Sequence, residues 1–265
     1  MGPKWDELAD GVFRRRYVSL DLNIGLIAGD GGLVVIDTRA SHLQAAELRA
    51  DIAELSRQPV RWVINTHWHW DHTFGNALFA DVPIHAHTRA YARLLADGEN
   101  AKRDALAWVG EGHAGEIEEV EITLPDVIFD ERLSLDLGDR TVTMHHLGRG
   151  HTDNDVVITI SDAPVVFAGD LLEESAPPYF GDGYPLSWPG TVARLIDLGE
   201  RTAVPGHGGV MDPAAVRGQY DELLAVAASC ALAAATGEFD GGGGPYPEDT
   251  MRTAWERAQL ELADE

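Results

Sequence analysis

One stretch, Thr66-His67-Trp68-His69-Trp70-Asp71-His72, constrains this chain more than any other. It follows directly on Arg61-Trp62-Val63-Ile64-Asn65, an apolar run with the composition of a strand. His67, His69, Asp71 and His72 all carry metal-ligating groups. Imidazole combined with carboxylate suits zinc, and also iron or manganese. In extended chain, residues two apart point to the same side, so His67 and His69 can grip one ion. Asp71 and His72 then face elsewhere, toward a second ion.

Three further candidates stand in matching contexts. His151 lies in Gly148-Arg149-Gly150-His151-Thr152-Asp153-Asn154-Asp155, between two expected strands. Glycines there let the backbone turn sharply and bring a side chain into a cleft. Asp170 ends the run Val165-Val166-Phe167-Ala168-Gly169-Asp170. A carboxylate at the end of an apolar strand is costly to bury unless something positive meets it. His207 lies in Ala203-Val204-Pro205-Gly206-His207-Gly208-Gly209, again a strand end followed by a glycine turn. Because every cluster follows a strand, the side chains can converge at one rim of the sheets.

Along the chain, strands are expected at 12–18, 23–28 and 33–37, with turn signals at Gly29-Asp30-Gly31-Gly32. Ser41 is placed to cap a helix reaching about Ser56, with Leu43, Ala46, Leu48 and Ile52 on its apolar face. Strands at 60–65 and 83–86 precede helical patterns over about 88–114. The second half repeats the plan, with strands at 127–129, 133–137, 141–147, 155–160 and 164–168. Helices are expected at 191–198 and 213–235. Glycines 241–244 precede a last helix near 247–262. No fixed-period repeat and no dividing linker is evident, so residues 1–265 read as one domain with a helical, glycine-interrupted C-terminal part from about 213. Strands grouped in each half, with helices after them, suggest two packed sheets clad by helices.

These motifs together resemble the metallo-β-lactamase-fold hydrolases. The HxHxDH signature is present as His67, His69, Asp71 and His72, and a GHT motif carries His151. The strand-end Asp170 and a PGHG motif with His207 complete the pattern, which spans about 12–210. The resemblance implies an α/β, four-layer αβ/βα sandwich with a two-metal site between the sheet edges. By family roles His67, His69 and His151 would hold one zinc ion, and Asp71, His72 and His207 the other. Asp170 would bridge them. The implied chemistry is attack on a carbonyl by a hydroxide held between the metals, with Asp71 orienting the nucleophile or passing on its proton. Thr66, Asn65 and Asp155 are candidates to fix the imidazoles from behind, although ordinary turn and strand-end hydrogen bonding is their commoner use.

Composition narrows the partners. The 265 residues carry 44 acidic and 20 basic side chains, a formal net charge of −24, which repels phosphate backbones and disfavours nucleic acid. No apolar run reaches the roughly 18 residues of a membrane helix. The N-terminal residues lack a signal peptide's pattern, so a cytoplasmic protein acting on a small molecule is expected. The single cysteine, Cys230, sits in an Ala-rich helical pattern and reads as buried packing. The oligomeric state has no signature.

Fold does not fix substrate, so departures from the family's branches matter. Zinc β-lactamases usually place Cys or Ser where Asp170 stands, and the lysine that often follows in one branch is replaced by Leu171-Leu172-Glu173-Glu174. β-Lactam hydrolysis is therefore expected to be weak. Glyoxalase II-like thioesterases and lactonases share the bridging Asp, which favours a small ester, lactone or thioester. An iron-dependent, persulfide dioxygenase-like oxidoreductase is the alternative from another class. Flavodiiron, nuclease and scaffold readings lack, respectively, room for a flavin domain, a nucleic-acid arm, and any lost ligand. His42, His85, His87, His113, His145 and His146 read as surface or core residues, with His87 as a helix cap and at most one of His145 and His146 facing the site. The aromatic, Pro/Gly-rich segment 175–188 fits a substrate-facing loop or a packing cap equally. Trp68, Trp70 and Phe74 fit either pocket or core.

Overall fold

Unbroken apolar runs become strands buried on both faces, and the alternation within them sorts side chains into two layers. In a computed structural model, which describes residues 4–110, 114–237 and 244–264, β1 (Asp6–Ala9), β2 (Val12–Tyr17), β3 (Leu22–Gly29) and β4 (Gly32–Ile36) pair antiparallel in sequence. Helix α1 (His42–Leu55) then crosses to β5 (Val60–Ile64), which lies parallel to β4. A single turn, α2 (Trp70–Thr73), leads to β6 (Ile84–His87), parallel to β5. Helices α3 (Thr88–Val109) and α4 (Ala114–Glu118) lead to β7 (Val127–Phe129), parallel to β6.

The second half builds β8 (Arg132–Asp136), β9 (Thr141–His145), β10 (Val157–Ile160) and β11 (Ala163–Glu173) antiparallel. Helix α5 (Trp188–Ile196) carries the chain to β12 (Thr202–His207), parallel to β11, and α6 (Pro213–Thr236) and α7 (Glu248–Ala263) follow. The two halves join edge to edge through a single β3–β12 pair, Leu22 with His207.

Alternate residues explain the layers. Val34, Ile36 and Ile64 from the first half meet Val142, Ile158, Phe167 and Val204 from the second in a core between the sheets. Leu33, Val35 and Val63 point the other way, onto Ala45, Leu48 and Ile52 of α1. Val166 and Ala168 likewise pack on Trp188, Val192, Val216, Leu223 and Met251 of α5, α6 and α7. The order is helix, sheet, sheet, helix: the expected α/β, four-layer αβ/βα sandwich.

Several elements differ from expectation. β1 was not foreseen, because Asp6-Glu7-Leu8-Ala9 is too polar to signal a strand. Ser41 does cap α1, its Oγ accepting from the Gln44 amide, but Leu43 and Ala46 are exposed. The buried stripe is Ala45, Leu48, Asp51 and Ile52, with Asp51 held by Lys4, Arg15 and Tyr17. The pattern read over 88–114 is broken by Gly110, at φ +70°. Asp170 does not end its strand: β11 runs on to Glu173, past Gly169 at φ +53°. A residue with φ > 0 inside a strand disrupts its pleat, and the β11–β12 register shifts at that point. His113 and glycines 241–243 lie outside the described residues.

Candidate metal centre

The expected ligand positions lie in loops, in the turn α2 and within β11 and β12, and come together where the two halves meet. His67 stands three residues after β5, His69 precedes α2, and Asp71 and His72 lie in that single turn. The run is not a continuous strand: the chain bends at 66–68, and α2 carries Asp71 and His72. His67, His69, His151 and Asp170 form one group and Asp71, His72 and His207 another, with potential ligand atoms within 4.8 Å of one another in each. Asp170 stands between them. Its Oδ2 lies 3.7 Å from His67 Nε2, 3.4 Å from His151 Nε2 and 3.4 Å from His207 Nε2, and its Oδ1 3.2 Å from His72 Nε2. Gly206 leaves the space: a Cβ there would overlap the Asp170 carboxylate.

Each imidazole has one nitrogen tied from outside and the other turned inward. His67 Nδ1 meets Thr66 Oγ1 at 3.0 Å, His69 Nε2 meets Asp182 Oδ1 at 2.9 Å, and His72 Nδ1 meets Asp37 Oδ2 at 2.8 Å. His151 Nδ1 meets the Tyr179 carbonyl at 3.3 Å and His207 Nδ1 the Leu20 carbonyl at 2.7 Å. The inward nitrogens crowd together, His69 Nδ1 to His151 Nε2 at 2.8 Å and His72 Nε2 to His207 Nε2 at 3.4 Å. His67 Nε2 is buried with no hydrogen-bond partner. Converging lone pairs, and a buried nitrogen left without a partner, are what a cation satisfies. The donor set fits one or two divalent ions of the zinc, iron or manganese type.

The electrostatics agree. Burial drives His67 well below the usual imidazole range, and His72 adds to the effect. Burial likewise takes His151 down to about 4. Burial opposes charge on His72 and His207 too, yet the Asp170 carboxylate lifts both well above it. Burial also opposes ionisation of Asp170, but His72, His207 and His67 hold it well below the usual carboxylate range. Burial, then the charge of Asp170, pushes Glu173 well up. A cation in the centre would displace the imidazole protons and let Glu173 ionise.

Of the three residues considered as supports for the imidazoles, Thr66 meets one, and the other two make the commoner turn and strand-end hydrogen bonds. Asn65 pairs with Asn76, and Asp155 accepts from the Thr152 amide and hydroxyl. Burial pushes Asp155 up to about 8 against those bonds. Two supporting carboxylates went unread. Asp37 follows the apolar β4 with φ +65°, the same sequence signal of a carboxylate after an apolar run that singled out Asp170, and accepts from the Thr66 amide and hydroxyl as well. Asp182 lies in an irregular loop with no such signal. Besides His69 it accepts from Trp68 Nε1 at 2.9 Å, and Arg257 of α7 donates to the carbonyls of Asp182 and Gly183. Burial opposes ionisation of Asp182, but His69 and Trp68 hold its carboxyl well below the usual range.

The other histidines stand apart. His87 caps α3 by accepting from the Arg89 amide, His146 stacks on it at 4.1 Å, and His145 pairs with Thr159. A cavity of 680 Å³ opens over the centre. Segment 175–188 divides between the two roles considered: Ser175, Pro177, Tyr179 and Asp182 line the cavity, while Phe180 and Trp188 are core. Trp68 and Trp70 line it as well while packing in the same cluster as Phe74, which is core alone.

A helix–sheet–sheet–helix sandwich with a His/Asp cluster at its sheet edges defines a metal-binding hydrolase fold. Residues 20–207 match the family model of the metallo-beta-lactamase superfamily, and the chain belongs to that superfamily. It is 27% identical over 228 residues to a Gallus gallus protein named acyl-coenzyme A thioesterase MBLAC2, covering 76% of this chain and 78% of that one. It is 24% identical over 186 residues to a metallo-beta-lactamase type 2 of Bacillus cereus, covering 68% and 64%. Among solved structures, a metallo-beta-lactamase from Pontibacter korlensis superposes with a TM-score of 0.64 at 21% identity, over 83% of this chain and 98% of that one. The DIM-1 metallo-beta-lactamase gives 0.64 at 18% identity, over 83% and 96%. Among the described residues, no helix is long and apolar enough to cross a membrane.

Proposed function

We propose that this protein is a dinuclear, zinc-dependent hydrolase of a small ester, lactone or thioester. One observation carries the reading: five imidazoles, each anchored through one nitrogen, turn the other toward two carboxylates beneath a single open cavity. His67, His69 and His151 are assigned to one ion, Asp71, His72 and His207 to the other, and Asp170 to both. Two bound cations would supply hydroxide at neutral pH and polarise the carbonyl. Asp71 contributes the residue chemistry. Its Oδ2 lies 3.3 Å from His207 and 3.6 Å from His72, and it lines the cavity, so it can orient an attacking oxygen and take its proton. The outer ties to Thr66, Asp182, Asp37, Tyr179 and Leu20 hold the rings in place, so little reorganisation is needed at the moment of reaction.

Thioester cleavage is in keeping with the relative named as a thioesterase. A cytoplasmic setting fits a lone cysteine that can form no internal disulfide. The α5, α6 and α7 packing onto β11 supports reading the chain as one domain, its helical C-terminal part included. The test is metal analysis of the purified protein joined to a panel of lactones, thioesters, β-lactams and phosphodiesters. Two zinc ions per chain with lactone or thioester turnover is the expected result. Stoichiometric iron with persulfide-dependent oxygen uptake would overturn hydrolysis, and β-lactams as the best substrates would redirect it.

A further inference from the structure

One wall of the cavity is built from α3 and from segment 175–188. Along α3, Arg93, Asp97, Asp104 and Trp108 recur at helical spacing and all line the cavity. Trp108 meets Tyr179 edge-to-face at 6.1 Å across the mouth, and Tyr179 lies 6.3 Å from the His69 ring. These are large rings left open to solvent, Trp108 65% and Tyr179 47% exposed. Such exposure of paired aromatics at the mouth of a cavity marks a contact surface rather than core.

The charges around these rings are one-sided. Among the described residues, Arg93 is the only lysine or arginine lining the cavity; it lies over the Trp68 ring at 4.7 Å and is paired with Asp97 at 3.2 Å, so its charge is already balanced. Asp104 stands one turn before Trp108 and its charge reaches Tyr179, yet it has no hydrogen bond or ion pair among the described residues. On the opposite side Glu173 lines the cavity, its carboxyl within 4.8 Å of the potential ligand atoms of Asp170 and His207. Aromatic faces beside unpaired carboxylates attract organic cations and repel anions.

We infer that the cavity selects substrates whose non-reacting part carries an ammonium group, seated between Trp108, Tyr179 and Asp104, and that it disfavours anionic substrates. This rests on the hydrolase reading of the centre below it. The ring pair grips the cation, Asp104 completes its neutralisation, and the carbonyl is left to reach inward past Glu173. Carboxylate- or phosphate-bearing acyl compounds would meet the same wall with the wrong sign.

Two measurements on the zinc-loaded protein test this. In the first, tryptophan fluorescence reports binding of phenyltrimethylammonium and of its uncharged isostere tert-butylbenzene. The cation is expected to bind about tenfold tighter at low salt, the advantage shrinking in Asp104→Asn and in Trp108→Ala and holding in Asp136→Asn, an exposed carboxylate that does not line the cavity. In the second, thioesters sharing one leaving group and carrying 4-trimethylammoniobutanoyl, pentanoyl or succinyl groups are compared. The expected kcat/KM order is cationic, neutral, anionic. Equal binding of the two probes, or a preference unmoved by the Asp104 and Trp108 changes, would overturn the inference even if all three thioesters are cleaved. Preferential binding of the cation with no thioester, ester or lactone cleaved would uphold the cation seat and sink the hydrolase reading instead.

Discussion

His69 shows how much a single ring is asked to do. Its Nδ1 faces His151 and its Nε2 is tied to Asp182, so both ends are committed. Replacing it with Ala should abolish metal-dependent turnover while the fold persists, checked by assay alongside far-UV circular dichroism; full activity in that variant would remove the site assignment. Asp182→Asn is the subtler change, because the amide keeps the shape and loses the charge. We expect metal affinity to fall about 10- to 100-fold, measured by competition with a chromogenic chelator; unchanged affinity would show that Asp182 does not support His69. At this scale the sequence was informative wherever residue type and spacing carried the chemistry. His67 through His72, His151, Asp170 and His207 could be named because few arrangements place so many ligands beside strands. Asp182 could not, since it reaches His69 across 113 residues of chain from a loop without periodicity.

Strands and helices set these positions, and small changes in them propagate. Gly206 sits in β12 where it abuts Asp170 of β11, so Gly206→Ala must push the carboxylate aside or part the strands. The outcome expected is loss of bound metal with secondary structure retained, read by elemental analysis and circular dichroism; normal metal content would refute it. On α1, Asp51 is buried at 2% exposure and ties Lys4, Tyr17 and Arg15. Burial opposes its ionisation, but those partners hold its carboxyl below the ordinary value of 3.8. A depressed carboxylate stabilises the fold above the unfolded value and loses that contribution as pH falls through the folded one. Asp51→Asn should therefore cost about 2 kcal/mol at pH 7, with the gap to wild type closing below about pH 4 in urea titrations; a gap that stays constant to pH 3 would disprove the linkage. Elements with strong apolar runs, such as β3, β4 and β5, were legible. β1 was hidden by its polar residues, and the extension of β11 was hidden because Gly169 looks like a terminator when it is a kink inside the strand. The stripe of α1 is hidden in the sequence because Asp51 occupies a buried position that an apolar count passes over.

At the scale of the molecule, the centre draws on both sheets. The proposed ligands come from both halves on either side of the β3–β12 seam, so ions held there would bridge the halves of the sandwich. Chelation should lower the melting temperature by roughly 10 °C, since ligand at about a thousand times its Kd contributes about 4 kcal/mol; scanning calorimetry with and without chelator decides, and identical curves would deny any bridging. The far end of the chain is also enlisted. Arg257 grips the loop of Asp182, and Glu261 accepts from the Leu186 and Ser187 amides at 2.8 and 2.9 Å. A ribosome delivers α7 only after every proposed ligand has emerged, so a nascent chain holds the whole donor set before the clasp on His69 exists. Zinc capture would then mature in two stages, loose during translation and tight once α7 docks. Chains stalled after residue 236 and after residue 265, each on a linker that clears the exit tunnel, would differ in zinc retention under dialysis if this timing is right, and would match if it is not.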